Sequence, residues 1–253
     1  MILTVLITAY QKNRHLRVTL PRICQQALDH VEVIVLDDEE SPNKETQQIC
    51  EQNPPVQYLH TGTRPELQWR IPGFALNIGA KRAQGDYLVI TCAEIFHINN
   101  CIDVFMHHIS RGEAATSLLI PEGKLDGRDE LCLKNVEELG DVRAGVYDKQ
   151  ADLDDMLPFF MCMPTQIFLG IGGYDEDFTG QAFDDNDIVD RLRASGLEYL
   201  HTHAKIVHLY HTTIYAGRQT GFPERWKYNK AVYEQRKGIL RRNTGKEWGV
   251  NHE

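Results

Sequence analysis

The sequence predicts an α/β fold in which a mostly parallel central sheet is flanked by helices. Two patterns lead there. The runs Leu3–Thr8 (LTVLIT), Val31–Leu36 (VEVIVL) and Asp86–Thr91 (DYLVIT) are short, nearly continuously apolar and rich in β-branched residues, as strands buried on both faces are. Segments of helical spacing separate them, and strands that alternate with helices build parallel sheets through right-handed crossovers. The 253 residues, 42% hydrophobic and 25% charged, suffice to bury one large core. No repeat, low-complexity stretch or linker-like composition divides them, so one domain over 1–253 is the simplest account.

Leu3–Thr8 opens the sheet, and Ala9-Tyr10 begins a loop. Asn13–Leu28 has helical spacing with Asn13 as its cap, and Pro21 is expected to kink it or to mark a fresh first turn. The strand Val31–Leu36 ends in Asp37-Asp38-Glu39-Glu40, at the edge where open α/β sheets bind ligands. A helix over Asn43–Gln52 and a strand over Val56–His60 continue the alternation. Gly62–Gly73 reads as a loop whose Arg64, Trp69 and Arg70 gate or line a pocket. Phe74–Ala83 is helical, and Gly85 is expected to provide a left-handed stop. The strand Asp86–Thr91 runs into Cys92-Ala93-Glu94, which puts Glu94 just past its carboxyl end. Asn100–Arg111 reads as helix and Ala114–Ile120 as strand, whereas Pro121–Leu157 is polar with weak periodicity, as acceptor-specific insertions are. Phe159–Met163 reads as strand, Pro164–Leu169 as a short helix, Ala204–Leu209 as strand and Pro223–Leu240 as a C-terminal helix.

Composition removes several function classes. A net charge of -9 disfavours attraction to a phosphate backbone, so no nucleic-acid partner is expected. The apolar run at the N-terminus is too short to span a bilayer and has neither a basic lead-in nor a small-residue cleavage site. Six cysteines are scattered without a CxxC pair, which suits reduced thiols in a cytoplasmic protein and gives no zinc site.

The most chemically loaded stretch is Gly172–Leu192, GGYDEDFTGQAFDDNDIVDRL. Asp184, Asp185 and Asp187 crowd a helix start, where carboxylates satisfy free N–H groups and the macrodipole. Capping needs one acid or two; three in four positions repel one another unless a cation, a substrate hydroxyl or water lies among them. An acidic helix cap and a reactive carboxylate are both open on these residues alone.

TAYQKNR after the first strand, VEVIVLDDEES, ALNIGAKRAQGDYLVITCAE, the acidic stretch and VHLYH, in this order and spacing, resemble the inverting family 2 glycosyltransferases of GT-A fold. The resemblance covers most of the chain. It implies a single Rossmann-like domain with a nucleotide-sugar-binding half over 1–120 and an acceptor-binding half over 121–253. It also implies transfer of a sugar from a nucleotide diphosphate donor, most often UDP-linked, to a carbohydrate or lipid-linked acceptor. Asp37 and Asp38 match the paired acids that meet base or ribose, Thr8 and Tyr10 would flank the base, and Asn77, Lys81 and Asp86 match the region around donor sugar and diphosphate.

By the same resemblance Asp185 is the general base, Asp184 its acceptor-orienting neighbour, Arg191 a structural basic partner and Asp187 a cap. The family commonly ends its fourth strand in Asp-x-Asp, which holds a divalent cation. Here the triplet is Cys92-Ala93-Glu94, so Glu94 remains as an oxygen ligand for Mn²⁺ or Mg²⁺ while a thiol is a poor one. His208 resembles the late histidine that completes the metal shell, with His211 competing for the role. The loss of the first Asp also leaves room for an inactive domain that binds nucleotide or carbohydrate. The basic tail KGILRRNTGK is either a solvated helix end or a peripheral contact with an anionic membrane.

Overall fold

The computed structural model describes residues 2–27, 29–62, 71–127, 130–140, 147–151, 159–179, 182–211 and 222–251. In chain order its elements are β1 (Leu3–Ala9), α1 (Asn13–Cys24), β2 (Val31–Asp37), α2 (Lys44–Glu51), β3 (Gln57–His60), α3 (Pro72–Arg82), β4 (Tyr87–Cys92), β5 (Ile95–His97) and α4 (Cys101–Ser110). Then follow β6 (Ser117–Ile120), β7 (Gly123–Gly127), α5 (Glu130–Leu139), β8 (Tyr147–Ala151), β9 (Phe160–Pro164), α6 (Thr165–Gly170), α7 (Asp184–Ala194), β10 (Glu198–His201), β11 (Lys205–His208) and α8 (Phe222–Arg236).

Seven strands form the main sheet in the order β10-β6-β9-β4-β1-β2-β3. Every neighbouring pair is parallel except those made by β9, which runs against β4 and β6. All residues of β1 and β2 are buried, as nearly continuous apolar runs require of strands covered on both faces; buried Glu32 accepts a 2.6 Å bond from Thr4 Oγ1. Leu16 and Leu20 of α1 and Phe105 of α4 seal one face; Leu76 of α3, Phe168 of α6 and Ile188 and Leu192 of α7 seal the other. A smaller sheet, β5-β11-β7-β8, packs beside the first. The chain winds from β1 outward through β2 to β3, then crosses back to place β4 on the other side of β1. That reversal opens a crevice past the carboxyl ends of β1 and β4, where open α/β sheets take their ligands.

Several elements depart from the sequence reading. Helix α1 stops at Cys24, because Pro21 inside it has no N–H for the Arg17 carbonyl and the helix runs only one more turn. The stretch read as a strand from Ala114 begins as a 3₁₀ turn over Glu113–Ala115, and extended pairing starts only at Ser117. Gly85 is not a left-handed stop: a Cβ there would sit 2.6 Å from the Thr4 backbone nitrogen, so glycine permits the close approach to β1. The polar stretch after Ile120 contributes β7, α5 and β8, and the short strands β5 and β10 add pairings the sequence did not signal. Residues 63–70, with Arg64, Trp69 and Arg70, lie outside the described residues. Cys24, Cys50, Cys92, Cys101 and Cys162 are free thiols; the side chain of Cys132 is not among those described. Among the described residues no helix is long and apolar enough to cross a membrane.

The segment after α8 folds back over the molecule. The Arg242 N–H donates to the Ile171 carbonyl at 2.9 Å, Asn243 Nδ2 donates to the carbonyls of Gly172 and Tyr174, and Asn251 Nδ2 reaches the His60 carbonyl at the end of β3. It thus straps the loop that leads to α7.

Candidate active site

Chain geometry fixes which side chains meet in the crevice. β1 delivers buried Thr8 and half-buried Tyr10, and Gln11 then adopts φ 52. This left-handed conformation, uncommon outside glycine, is held by a 3.1 Å bond from the Gln11 N–H to Glu39 Oε1. Two acids, Asp37 and Asp38, stand at the end of β2. Asp37 is fully buried and accepts from Tyr58 Oη at 2.5 Å, the Asn43 N–H at 2.7 Å and the Glu39 N–H at 3.2 Å. Burial first, then Asp37, raise the Tyr58 phenol above its ordinary range, so it stays a donor. Asp37 therefore shapes the loop, and its neighbour Asp38 is buried beside it.

Past the carboxyl end of β4, Glu94 is drawn into a cationic and imidazole cluster. Lys12 Nζ lies 3.5 Å and His211 Nε2 3.8 Å from Glu94 Oε1. The His208 ring packs against His211 at 5.2 Å and against Phe159 at 5.3 Å. His15 Nε2 donates to the Tyr210 carbonyl at 2.9 Å; burial lowers its pKa despite the opposing pull of that bond and of Glu94. The Leu209 N–H donates to the Glu94 carbonyl, which ties β11 to the β4 loop. Among the described residues no three His, Cys, Asp or Glu side chains converge on a point that could hold a metal ion. The triplet itself fits Mn²⁺ or Mg²⁺ poorly: its one acidic oxygen donor faces an ammonium, and Cys92 offers a thiol to a hard cation.

The acidic stretch is built differently from a cap. Ala182 and Phe183 have φ 83 and 71, and the N-cap residue Phe183 makes no side-chain cap bond. Strain of this kind persists where surrounding structure enforces it, often at functional sites. Asp184, Asp185 and Asp187 all fall in the first turn of α7, and each meets a different environment. Asp187, expected as a cap, is instead buried between two guanidiniums, 2.7 Å from Arg191 Nε and 2.6 Å from Arg242 Nη2. Arg191 also donates to the carbonyls of Ile171 and Gly173, and Arg242 Nε lies 3.1 Å from buried Asp175. Asp185 accepts a long, 3.3 Å bond from Tyr174 Oη. Burial, followed by the charges of Asp185 and Asp184, keeps that phenol protonated far above its ordinary range. Asp184 has its carboxyl pKa raised well above normal, first by burial and then by the charge of Asp185.

Gly172 and Gly173 let the strap and α3 reach this loop. A Cβ on Gly172 would be 2.3 Å from the Arg242 carbonyl, and one on Gly173 2.2 Å from Asn77 Oδ1. Asn77, expected near the donor, is fully buried and bonds the Tyr174 N–H, the Tyr174 carbonyl and Glu176, so it staples α3 to the loop. Lys81 donates to the Trp248 carbonyl and lies 4.1 Å over its ring, held by the strap. Exposed Asp86 sits at the amino end of β4, the opposite edge of the sheet. α7 precedes β10, which runs parallel to the strands around β1, so the N-terminus of α7 points toward their carboxyl ends. The Tyr174 ring packs on Gly73 at the start of α3, on that same edge.

Sequence reasoning passed over Lys12, Tyr174, Asp175, Arg242 and Asn243. Lys12 stands only three residues past β1, a position that signals ligand contact in such sheets. Arg242 carries no signal of its own. Of the basic tail, Arg242 pairs with Asp187 and Asp175 and Lys246 with Asp177, Arg236 of α8 also holds Asp175 and Asp177, and Lys237 and Arg241 are exposed.

Comparison with known proteins agrees with this architecture. Three solved structures share the fold: TarS of S. aureus (TM-score 0.65, 12% identity, 93% of this chain and 39% of that one); the mannosyltransferase PcManGT from Pyrobaculum calidifontis in complex with GDP-Man and Mn²⁺ (0.55, 16%, 92% and 61%); and GalNAc-T7 with UDP, GalNAc and Mn²⁺ (0.57, 15%, 83% and 44%). The chain thus spans less than two thirds of each of these. No curated protein is matched by sequence. The model of glycosyl transferase family 2 matches residues 4–144, more than half of the chain, and on that match and the GT-A type fold the protein belongs to glycosyl transferase family 2.

Proposed function

We propose that this protein transfers a sugar from a nucleotide diphosphate donor to an acceptor hydroxyl with inversion at the anomeric carbon, Asp185 acting as general base. Residues 1–120 form the donor half, with Asp38, Thr8 and Tyr10 toward the base and ribose, and residues 121–253 the acceptor half. The observation that carries the reading is the carboxyl pair at the start of α7. Asp184 is buried with a raised pKa, and Asp185 is oriented by a phenol that stays protonated. Two adjacent carboxyls whose environments differ are how one site keeps an acid and a base apart at one pH. Asp185 takes the acceptor proton as the new bond forms, attack comes from the face opposite the leaving nucleotide, and Asp184 hydrogen-bonds and orients the acceptor. A UDP-linked donor is favoured because TarS has been solved with UDP-GlcNAc and GalNAc-T7 with UDP. Mn²⁺ accompanies two of the neighbours, but the triplet that ends in Glu94 fits it poorly here, and no step is assigned to a metal.

The second reading, a nucleotide- or carbohydrate-binding domain without turnover, rests on Cys92 in place of the family's first acid. Asp185→Asn separates the two. With nucleotide sugar and acceptor mixtures, the parent releases free nucleoside diphosphate, the variant releases none, and both bind UDP equally by calorimetry, since a base acts on the transition state. Unchanged release in the variant removes Asp185 from its role, and binding without release in the parent favours the second reading.

A further inference from the structure

We infer that Lys12 supplies the fixed positive charge at the donor's diphosphate that Mn²⁺ accompanies in the neighbours, so that nucleotide binding here does not require a metal. The inference rests on the proposed donor reading. Three observations support it. Lys12 lies past the carboxyl end of β1 and Glu94 past that of β4, on the two sides of the crevice where the strand order reverses, the place where such sheets bind ligands. Its ammonium stands 3.5 Å from Glu94 Oε1, with both side chains nearly buried, at 10% and 12% exposure. Its four-carbon stem ends in a compact point charge with three donors, a recurrent partner of phosphate.

The alternative cation has little to hold it. Glu94 is the remaining acid of the triplet, and a cation placed on it would meet the ammonium at contact distance. A diphosphate placed there without a cation would be repelled by Glu94. With Lys12 between them the carboxylate orients the ammonium, and the ammonium's other protons remain for phosphate oxygens. His211 and His15, which also face Glu94, contribute imidazole rings rather than a permanent cation.

The test is calorimetric titration of UDP and of uridine into the full chain, in EDTA and in Mn²⁺, with Lys12→Met and Lys12→Arg beside the parent. Met keeps the stem and its burial and removes the charge, and thermal melting confirms that each variant is folded. If Lys12 has this role, the parent binds UDP in EDTA within threefold of its affinity in Mn²⁺. Lys12→Met then loses at least tenfold for UDP and little for uridine, and Lys12→Arg recovers part of the loss. UDP binding by the parent that vanishes in EDTA and returns with Mn²⁺ overturns the inference while leaving the donor site standing. Equal losses for UDP and uridine in a folded Lys12→Met overturn it as well, because the residue would then be structural. Failure of UDP and of a wider nucleoside diphosphate panel to bind under either condition sinks the donor reading, and this inference with it.

Discussion

Replacing Arg242 with Met should unfasten the loop that presents Asp184 and Asp185. The guanidinium is buried, 2.6 Å from Asp187 Oδ1 and 3.1 Å from Asp175 Oδ2, and donates to the Arg236 carbonyl at 3.0 Å. Removing one partner of a buried ion pair costs about 3–5 kcal/mol, because the other charge is left without compensation. Asp187 would keep Arg191 at 2.7 Å and Asp175 would keep Arg236, so the loss belongs at the lower end, about 3 kcal/mol. Each kcal/mol lowers the melting temperature of a chain of this size by about 2–4 °C, which places the expected drop at about 6–12 °C. Scanning calorimetry of parent, Arg242→Met, Asp187→Asn and the double variant measures it, and the double variant should lose clearly less than the sum of the singles, since both act on one network. A drop below about 2 °C, or simple additivity, would show that the strap is an ornament of the fold rather than its clamp.

Two further predictions follow from protonation. Burial and Asp185 raise the Asp184 pKa; for a carboxyl whose folded pKa exceeds its unfolded one, the stability present below the unfolded value is lost as pH rises through the folded value. Asp184→Asn, which mimics the protonated acid, should therefore gain melting temperature relative to the parent as pH rises from the carboxylate range upward, and a difference that stays flat with pH would contradict the assignment. His97 is fully buried, with its pKa depressed by burial to about 3. The unfolded chain then binds one proton more than the native chain between about pH 6.5 and pH 3, and stability falls toward acid at up to about 1.4 kcal/mol per pH unit from this group. In His97→Met the slope of chemical-denaturation stability against pH over that window should lose this one-proton component; an unchanged slope would place the acid sensitivity elsewhere.

The parallel half of the sheet was legible because burial on both faces leaves a local mark. LTVLIT and VEVIVL are nearly continuous apolar runs, and the structure pairs them residue for residue from Leu3 with Val31 to Ala9 with Asp37. Short strands leave no such mark. Ile95–His97 has three residues, and Glu198–His201 is half exposed along its length, so tertiary pairing rather than composition decides their state. Gly85 shows the same limit in one residue. Its position after a helix suggested a turn conformation, whereas the actual constraint is the backbone of Thr4, more than eighty residues earlier in the chain.

The candidate site was legible in residue type and not in partnership. Asp184, Asp185 and Asp187 look alike in the sequence, yet one is buried with its pKa raised, one accepts from Tyr174, and one is enclosed by guanidiniums from Arg191 and from a strap 55 residues away. Local spacing can show that three carboxyls crowd a helix start. It cannot show which of them will be compensated, because the compensating charge arrives through the fold. The same reasoning applies to Asp37, which the sequence does not distinguish from Asp38: Tyr58 and two backbone N–H groups saturate it, so it shapes the loop. Where like charges cluster in a sequence, the member held by a full set of protein partners is the one that builds the site. That ordering, applied to the acidic turn of α7, puts Asp187, enclosed by Arg191 and Arg242, in the scaffold that holds the turn.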